Sequence, residues 1–106
     1  MRVLIDECVD ERLRLLIHRH DCQTVRFAGM AGLKNEQLLE AAEAAGFEVL
    51  IRVDQNIPDQ QKWAGRKISV VILCVPTNRL GDLVPLMPAA ISALQSIGRG
   101  DVVRIR

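Results

Sequence analysis

The sequence has no surplus of charge of either sign: 14 Lys and Arg stand against 13 Asp and Glu, a formal net charge of +1. That excludes a strong overall basic field but leaves room for a local basic rim. Long apolar runs are also missing. The longest, such as Ile68 to Val75, falls far short of a bilayer span. The N-terminus carries acids from Asp6 onward and lacks a small-residue cleavage site, so it does not read as a signal peptide. A cytoplasmic location with no membrane partner is the expectation. Cysteine is sparse: Cys8, Cys22 and Cys74 lie far apart, with no C-x-x-C pair, which argues against a zinc site or a disulfide frame. Reduced, inward-packed thiols are expected instead. Repeats, low-complexity tracts and linkers are absent, so residues 1–106 are read as a single domain.

What is present is ordinary globular composition, 49% hydrophobic and 25% charged, arranged as alternating strand and helix signals. Arg2 to Asp6 (RVLID) reads as a strand that ends in an acid. Val9, Leu13, Leu16, Ile17 and His20 recur at helical spacing and predict a first helix. Cys22 to Phe27 reads as a second strand, followed by a glycine loop. Asn35 is a good N-cap for a second helix, with Leu38, Leu39, Ala42 and Ala45 as its apolar face and Gly46 as its stop. Phe47 to Val53 is a third strand, and Asp54 follows it. Pro58 starts a turn, with room for a short helix before Trp63. Trp63, the only tryptophan, is expected to pack rather than to stack on a base.

Ile68 to Val75 (ISVVILCV) is continuous apolar sequence, as expected of a strand covered on both faces. Leu80, Val84, Met87, Ile91 and Leu94 predict a helix with Thr77 or Asn78 as cap. Pro85 and Pro88 predict a break near Pro88 and a second segment to about Ile97. Val102 to Ile105 closes the chain as an edge strand. The surplus of apolar residues here (Leu80, Leu83, Val84, Leu86, Met87, Ile91) leads to an expectation of a homodimer.

Alternating strands and helices predict an α/β fold, and right-handed crossovers give a parallel sheet of order 2-1-3-4 with helices on both faces. In such a sheet ligands bind at the carboxyl ends of the strands, where the winding reverses between strands one and three. Asp6 and Asp54 end those two strands, which lie about 5 Å apart, so their carboxylates are candidate ligands for one Mg²⁺ or Mn²⁺. Glu7, and Glu36 near the start of helix two, are the further acids. The competing account is that these acids are turn and cap residues that favour helix starts.

Four stretches carry a resemblance: LIDE at Leu4 to Glu7, TVRFAGMAGLKNEQLL at Thr24 to Leu39, VDQNIPDQQ at Val53 to Gln61, and NRLGDLVPLMP at Asn78 to Pro88, with VVRIR closing the chain. Together they resemble a family of short bacterial PIN-like proteins, described as a domain of unknown function and related to the Mut7-C domain. The resemblance implies a PIN-like three-layer sandwich of four to five strands. It also implies Mg²⁺- or Mn²⁺-dependent cleavage of single-stranded RNA, in the manner of the toxin of a toxin–antitoxin pair. Asp6, Glu7, Glu36 and Asp54 would be the catalytic acids, with Asp6, Asp54 and Glu36 on the metal. Arg52, Lys62, Arg66 and Lys67 would contact RNA phosphates, although each also reads as an ordinary surface residue.

Departures from the family pattern are specific. Asn35 stands where the family usually has an acid, with Glu36 beside it. Asn56 stands where a second acid often follows the strand-three Asp. Arg52 replaces a small Thr, and Gln55 a Lys. Asn35 and Asn56 would line the site with fewer charges, and a PIN-like binding module without catalysis is the alternative. A phosphoacceptor signalling domain also sets paired acids after strand one, an Asp after strand three and a Thr or Ser after strand four, as Asp6, Glu7, Asp54 and Thr77 do. It requires a Lys after strand five, and this chain ends in RIR.

Overall fold

A computed structural model describes residues 1–17, 19–33, 35–54, 66–75 and 79–106, and leaves the side chains of Asn35 and Asp54 outside the description. The expectations for Asn56, the turn at Pro58, Lys62, Trp63, Thr77 and Asn78 lie outside the described residues.

Five strands, β1 (Arg2–Ile5), β2 (Asp21–Thr24), β3 (Val49–Asp54), β4 (Ser69–Cys74) and β5 (Val102–Ile105), form one sheet of order β2-β1-β3-β4-β5. Every neighbouring pair is parallel. The expected order holds, and the last strand joins as a fifth parallel member at the edge. Parallel strands need crossovers that return over one face or the other, so both faces must be apolar. Val3, Leu4, Ile5, Leu50, Ile51 and Val70 to Leu73 are accordingly all fully buried.

Side-chain alternation divides this apolar content into two cores. On one face Val3, Ile5, Val49, Ile51, Val71 and Leu73 pack with Leu13, Leu83, Met87 and Leu94. On the other, Leu4, Leu50, Val70 and Ile72 pack with Leu38, Leu39, Ala42 and Phe47 of the α1 region. Helix α1 (Asn35–Ala44) begins at Asn35 itself. It stops as the sequence indicates: Gly46 takes a positive φ of 85°, and Gly46 N–H and Phe47 N–H donate to the carbonyls of Glu43 and Ala42, the paired closing bonds of a Schellman end. Arg2 secures that end. Its guanidinium donates to the Ala45 carbonyl and lies 4.3 Å from the centre of the Phe47 ring.

The first helix differs from expectation. In place of an α-helix from Val9 to His20 there is a short 3₁₀-helix, Glu11–Leu16. Each of its flanking turn bonds runs three residues back: Val9 to Asp6, Leu13 to Asp10, Ile17 to Arg14. Val9, Leu13 and Ile17 are all buried, so their spacing reports one buried face correctly. It does not distinguish a tight 3₁₀ path from an α-helix. Asp10 caps the segment by accepting from Arg12 N–H. Strand β2 also stops early, at Thr24, because Thr24 is drawn into a turn: its hydroxyl accepts from Phe27 N–H at 3.1 Å and its carbonyl from Ala28 N–H.

The C-terminal helical region breaks slightly before the expected place. Helix α2 (Leu80–Leu83) passes through a 3₁₀ turn, Val84–Leu86, into α3 (Met87–Ser96). Pro88 then falls in the first turn of α3, where its missing N–H costs nothing. Of the apolar residues that suggested a dimer face here, Leu83 and Met87 are buried. Leu80, Leu86 and Ile91 are half-buried against the core. Only Val84 among the six is exposed, so this surface offers little surplus apolar area. No helix among the described residues is long and apolar enough to cross a membrane.

Two glycines give a paired test of this packing. A Cβ on Gly100 would lie 2.7 Å from the Arg66 carbonyl oxygen at a φ of +79°, whereas a Cβ on Gly81 meets nothing within 4 Å. Gly100→Ala should cost more than about 1 kcal/mol, read as a melting temperature lowered by about 4–8 °C per kcal/mol. Gly81→Ala should gain about 0.5 kcal/mol by helix propensity. A Gly100→Ala protein as stable as the parent would refute the tight β4–β5 approach.

Candidate functional site at the carboxyl edge of the sheet

Adjacent parallel strands β1 and β3 deliver the site. Ile5 is in register with Ile51, and Asp6 N–H donates to the Ile51 carbonyl at 2.9 Å, so Asp6 extends the ladder by one residue. Asp54 is the last residue of β3. The backbone thus brings the two predicted positions to the same edge, on neighbouring strands, at the β1/β3 reversal of winding.

Asp6 is only 9% exposed, so its carboxylate must be satisfied from within the protein. One oxygen accepts from Glu7 N–H at 2.8 Å. The other accepts from the Cys8 thiol at 3.6 Å and lies 3.9 Å from Arg52 Nη1. Arg52, expected to face RNA, is therefore the charge partner of Asp6, with its own side chain only 20% exposed. Glu7 is exposed and turns one carboxylate oxygen to Gly32 N–H at 3.2 Å. That contact ties the end of β1 to the loop before α1.

Other predicted residues do not converge here. Glu36 is exposed in the first turn of α1. Arg66 and Lys67 precede β4 and so sit at the amino edge of the sheet. They are a strand length away from Asp6, about 20 Å at 3.3 Å per residue. Lys67 donates its backbone N–H to Glu43 there. Both are corrected from RNA-contacting positions to the opposite edge, because every strand of a parallel sheet points the same way. Among the described residues no three His, Cys, Asp or Glu side chains converge as a metal group.

The register adds a residue that sequence reading missed. Arg52 is in register with Ile72, and Ile72 with Arg104. Two arginines therefore flank Ile72 in one row, and strand alternation puts both on the face that carries Leu4, Asp6 and α1. Only the parallel pairing of β5 reveals this, and nothing local in VVRIR announces it. On the other side of the β1 end, a pocket of about 400 Å³ is lined by Glu7, Cys8, Asp10, Arg12, Arg79 and Leu80. Its wall is stiffened by Asp10, which accepts from Arg12 at 2.7 Å. Hydrogen bonds from Arg12 hold the Asp10 carboxyl down at about 2.

The three cysteines are unbridged. Burial pushes the Cys22 thiol up to about 11, helped by the charge of Asp21, and burial likewise raises Cys8. Raised values leave little thiolate at pH 8, so both should react with a disulfide reagent at least tenfold more slowly in native protein than in denaturant. In denaturant three groups should titrate, and rapid native labelling of Cys22 at pH 8 would contradict its burial. Comparison of this chain with family models, with curated proteins and with solved structures finds no match.

Proposed function

We propose that this chain is a PIN-like, metal-dependent ribonuclease domain that works from the carboxyl edge at the β1/β3 junction. The observation that carries the reading is the delivery of Asp6 and Asp54 by adjacent parallel strand ends. It stands beside the family resemblance of the LIDE, GLKN and VDQNIPDQQ stretches. Two carboxylates are an adequate protein contribution for a hydrated Mg²⁺ or Mn²⁺, which keeps several waters. The donor type fits, and the cost is competition with Arg52, which already lies beside Asp6.

In this reading Asp6 and Asp54 would hold the ion, and water would complete its coordination where Glu36 does not reach. The ion supplies a bound water of lowered pKa and offsets charge on the phosphodiester. Glu7, steadied by Gly32, orients the attacking water with its second oxygen. Arg52 and Arg104 offset phosphate charge from the sheet face, contacts that position a backbone without reading sequence. Single-stranded RNA is the substrate class, because unpaired RNA enters a shallow edge site more readily than an A-form helix. An antitoxin protein is the expected regulator, and a cytoplasmic setting suits three unbridged thiols.

One observation favours a second reading. The Arg52 guanidinium already balances Asp6, and Asn35 and Asn56 stand where family members usually carry acids. Both features support a PIN-like binding module that has given up catalysis. The phosphoacceptor reading draws on the same strand order but lacks its lysine, since no lysine follows Lys67 in the chain.

Calorimetry with Mn²⁺ and a single-stranded RNA cleavage assay separate the two. For a nuclease, cutting requires Mg²⁺ or Mn²⁺. Asp6→Asn and Asp54→Asn should each lower cutting about 100-fold, the scale on which one charge-stabilising group matters in an active site. Arg52→Ala should tighten Mn²⁺ binding by removing the competing cation, and Asn56→Asp should tighten it by adding an acid. Wild-type protein that neither binds Mn²⁺ nor cuts RNA would end the nuclease reading and leave the binding module.

A further inference from the structure

The sheet has two edges, and among the described residues no strand pairs with the outer side of β2. Asp21 N–H donates to the Met1 carbonyl and Val25 N–H to the Ile5 carbonyl, so the odd-numbered residues of this segment face β1. Parallel alternation then aims the N–H groups of Cys22 and Thr24, and the Cys22 carbonyl, away from the sheet. An edge of this kind is a template for another strand.

Two large hydrophobic side chains flank it in water: Phe27 is 79% exposed and Leu15 is 59% exposed. Phe27 is one of only three aromatic residues in the chain, counting 2 Phe, 1 Trp and no Tyr. The Thr24 hydroxyl fixes the turn that presents it. Between edge and 3₁₀-helix runs a groove of about 430 Å³, lined by Glu11, Arg14, Asp21, Arg26 and Phe27 among others.

The charges select the occupant. Asp21 opens the strand and Arg26 follows its end; Glu11 opens the 3₁₀-helix and Arg14 lies near its close. Two acids and two bases line the groove, Asp21 also lying 3.7 Å from Arg2 of β1, and each pair reverses sign along its element. A two-fold axis that sets β2 antiparallel to β2 of a second copy brings the acidic start of one strand against the basic end of the other. Such a patch is complementary to itself, as an isologous interface requires. We propose that β2 is the self-association edge of this protein, joining two copies into one continuous ten-stranded sheet with Phe27 and Leu15 packed across the junction.

Charge exchange tests this in the full chain. Wild-type protein should sediment as a dimer at tens of micromolar. Arg14→Glu with Arg26→Glu leaves an all-acidic patch, and Glu11→Lys with Asp21→Lys an all-basic one. Each variant alone should be monomeric, and an equimolar mixture should dimerise. All four positions are exposed, and the Arg2–Asp21 ion pair that Asp21→Lys removes is a solvent-exposed one of little weight, so circular dichroism of each variant should match the parent. Phe27→Asp, also at an exposed position, should weaken association about tenfold or more. A wild-type monomer would overturn the proposal and leave the edge for a strand of another protein. Variants that dimerise alone, or a mixture that stays monomeric, would overturn it as well.

Discussion

An all-parallel sheet has to be covered on both faces, and the rest of this molecule follows from that requirement. Each strand must be re-entered from the amino edge, so a connection has to cross back over one face or the other. The 3₁₀-helix, α2 and α3 cover one face and α1 the other. The reversal of winding falls between β1 and β3, where the ends of two adjacent strands meet at the carboxyl edge. The same rule that buries the centre of β3 and β4 thus leaves an edge where polar side chains can gather. It also separates the charged residues by direction: those after a strand reach this edge, and those before a strand, such as Arg66 and Lys67, reach the other.

Asp6 shows how that edge is held. A carboxylate nearly withdrawn from water is costly without hydrogen bonds and a countercharge. Glu7 N–H and the Cys8 thiol supply hydrogen bonds, and Arg52 supplies the charge. A divalent ion and a guanidinium answer the same electrostatic need in different ways. The ion brings activated water, whereas the guanidinium brings only charge and directed N–H groups. Arg52 stands on β3, one strand away from the buried acid at the end of β1. Removing the arginine therefore discriminates more sharply between catalysis and binding than removing the acid, whose loss damages both.

Much of the fold was legible because burial on two faces writes itself as continuous apolar sequence. ISVVILCV reads as a strand covered on both faces and RVLID as a strand ending in an acid, and the crossover rule then gives the order 2-1-3-4. Gly46 and Asn35 marked the limits of α1 closely. The 3₁₀-helix was misread because Val9, Leu13 and Ile17 record which side is buried, not how tightly the backbone winds. Asp6 and Asp54 were legible as strand ends. The partnership of Arg52 with Asp6 was not, since it depends on cross-strand register, and neither was Arg104, whose place in that row exists only once β5 pairs parallel to β4. The apolar surplus around Leu83 and Met87 was real but belongs to the core, because α2 and α3 cover a whole face with few residues.

The two edges of the sheet differ in a way that bears on assembly. On the β5 side, Ser69 accepts from Gly100 N–H and donates to the Gly98 carbonyl, so the turn into β5 is bonded to the neighbouring strand. The β2 side has an exposed phenylalanine and outward backbone groups. Pairing β2 with its copy in antiparallel fashion turns the carboxyl ends of the two sheets to opposite edges of the joined sheet. The Asp6 region of each copy would then face away from the other, one strand removed from the junction. Neither site would borrow a residue from its partner or be closed by it. Association through β2 would therefore change stability and valency without altering the chemistry at Asp6, which is why the two proposals stand or fall separately.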